Sequence, residues 1–165
     1  MKNWIIRRIK SEDNPAVAKL IRSVFDEMEI PKVGTAYADP YLDLMFEEYN
    51  KARSVYFVVE NEGEVVGCAG IAPLENGDPK ICELQKMYFL PKTRGLGIGS
   101  VMMEKCLNEA RNFGFEKCYI ETMPFMLAAQ KLYKKSGFEY LNAPMGNTGH
   151  SSCPVWMLKD LQNGL

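Results

Sequence analysis

The chain has 165 residues, of which 47% are hydrophobic and 25% are charged, and its formal net charge is −1. This length suits one compact domain with its own hydrophobic core, so we predict a single domain over residues 1–165. So small a net charge gives no field that would draw the chain to nucleic acid or to an anionic membrane, and we expect neither as a partner.

The five cysteines predict a reduced protein without bound metal. They are odd in number, contain no C-x-x-C pair and lie singly in apolar stretches, as core thiols do. Because His150 is the only histidine, ligands for zinc do not cluster, and we expect no structural metal. The first residues lack the apolar run of a signal peptide, and no apolar stretch approaches the roughly 20 residues of a membrane span. We therefore expect a cytoplasmic protein.

The N-terminal part of the chain predicts one strand followed by two helices. A short strand at 5–9 precedes a helix whose apolar residues recur at helical spacing, which gives it one buried face. Pro31 and Gly34 end this helix. A loop rich in turn residues then leads to a second helix, which we expect to run from Asp39-Pro40 to about Tyr49.

Three antiparallel strands are predicted next. Apolar runs bounded by turn residues mark them at 54–60, 65–73 and 81–90. Asn61-Glu62-Gly63 has the composition of a tight hairpin turn. In the third strand, alternation predicts that five side chains share one face. They are Ile81, Glu83, Gln85, Met87 and Phe89.

The C-terminal half alternates helices with short strands. Its predicted elements are a helix ending at Gly114, a strand at 117–122, a helix from Pro124 to Gly137, and strands at 138–141 and 155–158. Glycine accepts the left-handed conformation that commonly ends a helix. The whole order is β-α-α-β-β-β-α-β-α-β-β, which predicts an α/β (α+β) fold with a mixed, mainly antiparallel sheet flanked by helices.

The segment Arg94-Gly95-Leu96-Gly97-Ile98-Gly99-Ser100 lies between a predicted strand and a predicted helix. Its alternating glycines lack the Cβ atoms that would block a ligand, and they let successive backbone N–H groups turn inward. The following helix adds four N–H groups without intrahelical partners and the positive end of its dipole. Together these features predict a site for phosphate or pyrophosphate.

The glycine spacing argues against a nucleotide-triphosphate site and a dinucleotide site. It is not G-x-x-x-x-G-K-S/T, and it is not G-x-G-x-x-G because, counted from Gly95, the third glycine comes one residue early. No strand-helix-strand unit opens the chain either. The alternative to a ligand site is a plain tight turn before a helix.

This segment resembles the acetyl-CoA motif of the GNAT superfamily, Gln/Arg-x-x-Gly-x-Gly/Ala, with Arg94, Gly97 and Gly99 at its defining positions. Downstream, Ala129-x-x-Leu132-Tyr133-x-x-x-Gly137-Phe138 is similar to the second signature of that superfamily. The two motifs occur in the usual order and at the usual separation. The resemblance implies a GNAT fold and an N-acetyltransferase that passes acetyl from acetyl-CoA directly to a primary amine.

For the co-substrate acetyl-CoA, the resemblance implies that the loop at 94–100 holds the pyrophosphate through backbone N–H groups. The strand before the loop would pair with the pantetheine arm, which assigns Met87, Tyr88 and Phe89 to the arm and the thioester, with a backbone N–H polarising the carbonyl. Alternatively, Met87 and Phe89 place their side chains in the core while their backbones bind. Met126 stands where many members have an asparagine that contacts the cofactor, so no such contact is assigned.

For catalysis, the resemblance implies Tyr133 as a general acid close to the CoA sulfur. Glu83, eleven residues before Arg94, occupies the place where some members carry a catalytic glutamate base, and a carboxylate on a mostly apolar face breaks the strand pattern. The alternatives are an aromatic anchor for Tyr133 and a solvated or salt-bridged role for Glu83. Glu121, near the end of the next strand, is the competing base.

The resemblance places the acceptor against the first two helices, their connecting loop and the last hairpin. Residues 26–48 hold seven acids and one base, whereas 86–135 hold nine Lys or Arg and four Glu. This contrast would suit a cationic amine and an anionic cofactor, although solvated helix faces explain most of these acids equally well. The loop at 142–154 could close over the acceptor, with His150 as a substrate contact or a bystander.

The leading interpretation is an N-acetyltransferase that acts on the amine of a small molecule or peptide. A transferase of another acyl group and a non-catalytic acyl-CoA-binding or sensory module are the alternatives. The presence of both Glu83 and Tyr133 argues against the second. Dimers are common in the superfamily, so the resemblance leaves a homodimer open.

Overall fold

A computed structural model describes residues 3–162, which form a seven-stranded sheet with helices on both faces. The strands are β1 (Trp4–Arg8), β2 (Val55–Asn61), β3 (Glu64–Pro73), β4 (Ile81–Phe89), β5 (Lys117–Thr122), β6 (Glu139–Tyr140) and β7 (Val155–Asp160). The α-helices are α1 (Asn14–Met28), α2 (Met45–Tyr49), α3 (Ile98–Asn112) and α4 (Leu127–Lys135). The predicted order of elements and the predicted fold class are confirmed.

The strands lie in the order β1-β2-β3-β4-β5-β7-β6. Within residues 3–162, β4 and β5 are the only parallel neighbours, and all other neighbouring strands are antiparallel. The predicted hairpin between β2 and β3 turns at Glu62 and Gly63, which both have positive φ, 50° and 85°. Such a turn matches the right-handed twist of the strands that it joins.

Two helices begin later than the sequence predicts. α2 begins at Met45 instead of at Asp39-Pro40, and α4 begins at Leu127 instead of at Pro124. The carboxylate of Asp39 binds Lys86 at 2.8 Å and therefore does not cap a helix. Separate turns, rather than a helix, carry the chain from Asp39 to Leu44.

Each face of the sheet has its own hydrophobic core. α3 and α4 cover one face, where Met102, Cys106 and Tyr133 pack on Phe57 and Leu84. On the opposite face, α1 and α2 pack their apolar side chains against the other side of β2 and β3. No helix among the described residues combines the length and the apolar character that crossing a membrane requires.

A β-bulge in β4 overturns the prediction that five alternate residues share one face. Gln85 pairs with Gly70 and Tyr88 pairs with Cys68, so Lys86 and Met87 together oppose a single residue of β3. Lys86 has φ of 49°, the left-handed conformation that a bulge can require. Glu83 and Gln85 therefore face the α1–α2 side, whereas Met87 and Phe89 pack against the α3–α4 core. The prediction was wrong because simple alternation assumes that no extra residue is inserted into the strand.

The parallel strands β4 and β5 separate soon after they meet. They pair only through Ile81, Cys82 and Glu83 of β4, and β5 continues along β7 instead. The second half of β4, from Gln85 to Phe89, thus has no strand beside it on the β5 side within residues 3–162. This separation opens a cleft in the middle of the sheet.

Candidate active site

The cleft contains two cavities that meet at Tyr133. The larger is a groove of about 390 Å³ that runs from the glycine loop along the end of β4 to α4. The smaller is a pocket of about 70 Å³ between β4, β5, the loop after α1 and the loop between β6 and β7. Met87, Tyr88, Met126 and Tyr133 line both. The two cavities together could hold a long ligand and a small one end to end.

The glycine loop leaves open space beside its backbone. Gly95 and Gly97 have φ of 78° and 81°, and no atom outside the immediate chain lies within 4 Å of where a Cβ would stand. Gly97 is the N-cap of α3, which begins at Ile98, so the first N–H groups of this helix have no intrahelical carbonyl to bind. The local geometry is that of an anion site.

The predicted cofactor residues do not all border the groove. Six of them line it, and these are Met87, Tyr88, Phe89, Arg94, Gly95 and Gly99. By contrast, Ile98 is 1% exposed and belongs to the core, and Ser100 borders a separate surface depression. Leu96 is exposed. Ile98 could therefore contact a cofactor only through its backbone.

The side chain of Arg94 makes structural contacts at the beginning of the glycine loop. Its guanidinium donates to the carbonyl of Phe89 through Nε at 3.2 Å and Nη2 at 2.9 Å, and Nη2 also binds Glu27 of α1 at 2.8 Å. These contacts tie the beginning of the loop to the end of β4 and to α1. The positive charge of Arg94 is thus already partly balanced by Glu27 and is not wholly available to a phosphate group.

Tyr133 lies at the junction of the two cavities with its hydroxyl unpaired among residues 3–162. The residue is 6% exposed, and every fully buried side-chain oxygen or nitrogen in this range has a hydrogen-bond partner. Its hydroxyl must therefore face the open cavity. Burial raises the pKa of Tyr133 to about 12, so the group stays protonated near neutral pH and can donate a hydrogen bond.

Glu83 lies in the pocket and is 4% exposed. Its Oε1 accepts a hydrogen bond from Gln85 Nε2 at 2.7 Å. Burial, helped by the nearby negative charge of Glu121, raises the pKa of Glu83 to about 7, although Gln85 and Lys86 act in the opposite direction. A carboxyl with this pKa can hold or release a proton at physiological pH, as a general base must.

Glu121, the competing base, lines the same pocket but is held by two hydroxyl donors. Tyr119 donates to its Oε2 at 2.8 Å and Thr148 donates to its Oε1 at 2.6 Å. Both carboxylate oxygens are thus engaged by O–H donors, each of which must be displaced or shared if Glu121 is to take a proton. This arrangement favours Glu83 as the base.

A buried ion network that the sequence does not predict forms one wall of the pocket. Lys86 Nζ binds Asp39 Oδ2 at 2.8 Å and the hydroxyl of Tyr41 at 2.9 Å, and only 2% of its side chain is exposed. His150 Nε2 lies 3.0 Å from Asp39 Oδ1. Burial lowers the pKa of His150, but the hydrogen bond and charge of Asp39 outweigh it, so the pKa stands above 6.5. His150 is therefore a structural contact of the pocket wall rather than a bystander.

Most acids of the predicted acidic acceptor half are paired with their own neighbours. Asp26 pairs with Lys32, Glu27 with Arg94 and Asp43 with Arg22. Glu48 pairs with Lys51, and Glu47 accepts from Asn14. Of the seven acids, only Asp39 binds side chains that line the pocket, namely Lys86 and His150. The sequence composition of this region therefore does not describe the charge of the pocket.

The loop between β6 and β7 (residues 141–154) covers the pocket. Ser152 donates from its backbone N–H to Gly34 at 3.1 Å and from its hydroxyl to Val33 at 2.8 Å. On the opposite side, Thr148 binds Glu121 and the Met145 N–H donates to Tyr119. The loop thus bridges the segment after α1 and the strand β5.

The chain resembles known acetyltransferases in sequence and in fold. Residues 19–138 match the model of the acetyltransferase (GNAT) family. The chain belongs to this family. A curated relative, the Escherichia coli uncharacterized N-acetyltransferase YjgM, is 45% identical over 158 residues, which are 95% of either chain. The enzyme class predicted from the sequence, N-acetyltransferase, is confirmed by these matches.

Solved GNAT structures share the whole fold. A GNAT acetyltransferase from Staphylococcus aureus superposes with a TM-score of 0.85 at 18% identity, covering 96% of this chain and 99% of that chain. The acetyltransferase yncA from Salmonella typhimurium, solved with its cofactor acetyl-CoA, superposes with a TM-score of 0.77 at 19% identity, covering 98% and 96%. The seven-stranded sheet with helices on both faces is therefore the fold of solved acetyltransferases.

Proposed function

We propose that the single domain predicted for residues 1–165 transfers the acetyl group of acetyl-CoA to the primary amine of a small molecule within a ternary complex. One observation carries this proposal: the groove that begins at the glycine loop meets, at Tyr133, a pocket that contains a buried carboxyl with a pKa near 7. A thioester at the end of the groove would therefore face an amine in the pocket.

The cofactor would lie along the free half of β4. The backbone of the glycine loop supports a pyrophosphate site, and the unpaired edge from Gln85 to Phe89 supports hydrogen bonding to the amide groups of a pantetheine arm. The bulge leaves Lys86 and Met87 out of register with β3. A backbone N–H here would polarise the thioester carbonyl as negative charge develops on its oxygen.

The proposed reaction uses Glu83 and Tyr133 at opposite ends of the transferred group. An amine must lose a proton to attack, and Glu83 accepts it. The nitrogen then forms a bond to the thioester carbon and the carbon–sulfur bond breaks. The second proton that the nitrogen must lose to become an amide goes to the departing thiolate, which leaves as the CoA thiol. Tyr133 donates a hydrogen bond to the departing sulfur. Because the pKa of Tyr133 is about 12 and that of a free thiol is about 8.5, this donor stabilises the thiolate more than it neutralises it.

The enclosure of the pocket supports a small acceptor. The pocket holds about 70 Å³ and is covered by the β6–β7 loop, which is tied to the opposite wall at Gly34 and Val33. A peptide N-terminus would have to open this loop. The five cysteines are free thiols, which supports our placement of the reaction in the reducing cytoplasm.

Release of free CoA thiol tests the proposal directly. The protein is incubated with acetyl-CoA and a panel of amines that includes small primary amines, amino acids and short peptides. We expect thiol release that depends on a small amine, with the acetylated amine detected by mass spectrometry. Tight binding of acetyl-CoA without turnover on any amine would instead support a sensory module, and turnover only with a longer acyl-CoA would reassign the donor.

A further inference from the structure

Glu83 is the end of a hydrogen-bond chain that begins outside the pocket, on α2. The hydroxyl of Tyr49 lies 2.5 Å from Gln85 Oε1, and Gln85 Nε2 lies 2.7 Å from Glu83 Oε1. Tyr49 is 5% exposed. The bulge at Lys86 lies immediately after Gln85, which faces α2 together with Glu83.

The direction of this chain is determined at both of its ends. An ionised Glu83 has no proton to give, so the group that faces it must be the amide nitrogen of Gln85. The amide oxygen of Gln85 then faces Tyr49, and because this oxygen only accepts, Tyr49 must donate. Burial keeps the pKa of Tyr49 far above its usual value, so the phenol remains a donor at every pH at which the enzyme would work.

The two carboxylate oxygens of Glu83 are consequently not equivalent. A proton on Oε1 would point an O–H at the N–H of Gln85 and would require both Gln85 and Tyr49 to reverse. Oε2 makes no hydrogen bond within residues 3–162, yet it is not a fully buried unpaired atom. It therefore faces the open space of the pocket, where a proton can be added without any change in the chain.

We propose that Tyr49 and Gln85 are positioning residues that hold Glu83 in one orientation, so that Oε2 is the atom that takes the proton from the acceptor amine. This inference rests on the proposed function, because it assumes Glu83 as the base. Glu121, bound by Tyr119 and Thr148, forms a second supported carboxylate on β5. The two tyrosines thus offer a matched pair of substitutions, one for each carboxylate.

Several titratable groups surround Glu83, and Gln85→Met leaves all of them in place. They lie on β4, β5, α2 and the β6–β7 loop, and they are Lys86, Tyr119, Glu121, Tyr49, His150 and Cys153. Gln85→Met removes the donor to Glu83, keeps a similar side-chain volume and adds no charge. Any change in the titration of Glu83 in this variant therefore reports the lost hydrogen bond.

The experiment measures the pKa of Glu83 in two independent ways. The first is a carboxyl ¹³C NMR titration of the apoprotein, with the Glu83 signal assigned by its loss in Glu83→Gln. The second is the pH dependence of kcat/KM with one fixed amine, so that the titration of the amine is common to all variants. The proteins compared are wild type, Gln85→Met, Tyr49→Phe and Tyr119→Phe.

We expect Gln85→Met to raise the pKa of Glu83 by about one unit, because a hydrogen bond to the charged form is lost. Tyr49→Phe should raise it by about half as much, because its effect passes through Gln85. The acid limb of the rate profile should move by the same amounts, so that at pH 6 the rate of Gln85→Met falls by about tenfold while the high-pH plateau is retained. Tyr119→Phe should change neither the pKa of Glu83 measured by NMR nor the acid limb of the pH dependence of kcat/KM.

Gln85→Met and Tyr49→Phe each remove a different hydrogen bond of the series that ends at Glu83, so the test needs only one of the two variants to fold. A Glu83 pKa that is unchanged in Gln85→Met and Tyr49→Phe would overturn the inference. An acid limb that moves in Tyr119→Phe but not in Gln85→Met would also overturn it and assign the base to Glu121. If the wild type shows no amine-dependent turnover, the proposed function fails, whereas the NMR titration still decides whether the chain holds Glu83.

Discussion

The cofactor groove and the acceptor pocket adjoin one another but are built from different parts of the chain. The phosphate end of the groove is backbone: Gly95 and Gly97 have positive φ and nothing near the missing Cβ atoms. The pocket is formed by buried side chains that bind one another, such as Lys86 with Asp39. A backbone site depends on conformation, whereas a side-chain site depends on protonation. Substitution and pH should therefore affect the two cavities differently.

The largest effect should come from the pocket. Glu83→Gln keeps the volume and the hydrogen bond to Gln85 but removes the proton acceptor. We expect kcat to fall by about 10² to 10³-fold, the range for loss of a general base, with little change in the KM for acetyl-CoA. Steady-state kinetics at pH 8 measure both constants.

Glu121→Gln is the matched comparison for this carboxylate. It should reduce kcat by less than tenfold, because Glu121 is engaged by Tyr119 and Thr148. A larger loss in Glu121→Gln than in Glu83→Gln would show that the bases have been assigned the wrong way round.

At the junction of the two cavities, Tyr133→Phe should lower kcat by about tenfold to a hundredfold, because the departing sulfur loses its hydrogen-bond donor. The dissociation constant for CoA should change less than the rate. Tyr140→Phe is the control, since the hydroxyl of Tyr140 binds Gln130 outside both cavities. Equal losses in the two variants would remove Tyr133 from the mechanism; calorimetry and rate measurements together decide this.

In the groove, the effect should be on affinity. Gly97→Ala places a Cβ in a left-handed backbone conformation and at the mouth of the anion site, so we expect about tenfold weaker acetyl-CoA binding. Gly114 has a similar φ of 85° and open space, but it ends α3 far along the chain. Gly114→Ala therefore incurs the same backbone strain as Gly97→Ala and should keep its affinity in isothermal titration. Equal affinity in the two variants would contradict the assignment of the groove.

The smallest effect concerns stability and its dependence on pH. The folded-state pKa of His150 is raised above 6.5 by Asp39, so this ion pair contributes fully below pH 6.5 and its contribution is lost as the pH rises through the folded-state pKa. We expect His150→Asn to lower the free energy of unfolding by about 1 kcal/mol at pH 6 and by much less at pH 9. Urea unfolding at both pH values measures the difference.

Ser152→Ala provides the comparison for His150, because it removes a hydrogen bond of the same loop to Val33 without removing a titratable group. Its cost should be equal at pH 6 and pH 9. A pH-independent cost for His150→Asn as well would mean that the ring acts through packing and not through its charge.

The sequence predicts the groove better than the pocket, and the reason lies in the range of the contacts. Closely spaced glycines can be recognised within a short stretch of sequence, so the loop from Arg94 to Gly99 and the start of α3 could be placed from the sequence. The element order and the hairpin at Glu62 followed from periodicity and turn composition, and Tyr133 was singled out by the second of the two motifs. These features depend on residues close together in the chain.

The pocket depends on residues that are far apart. His150 and Asp39 are separated by 111 positions, and Lys86 and Tyr41 by 45. A lysine within a strand gives no sign in the sequence that it will be buried. The seven acids at 26–48 likewise give no sign that four of them pair with Lys or Arg residues outside the pocket. The one local signal was the carboxylate of Glu83 among apolar neighbours. It identified a residue that lines the pocket and is only 4% exposed.

The bulge in β4 allows one strand to supply side chains to both cores while it stays paired with β3. Gln85 pairs with Gly70 and Tyr88 pairs with Cys68, so Lys86 is the extra residue that separates the two halves of the strand. Deleting Lys86 would therefore restore simple alternation without turning Glu83, Met87 or Phe89 to the opposite face of the sheet. What the deletion would remove is the buried cation that binds Asp39 and Tyr41. In comparisons among relatives, a gap at this position would thus mark a different pocket wall on an unchanged architecture.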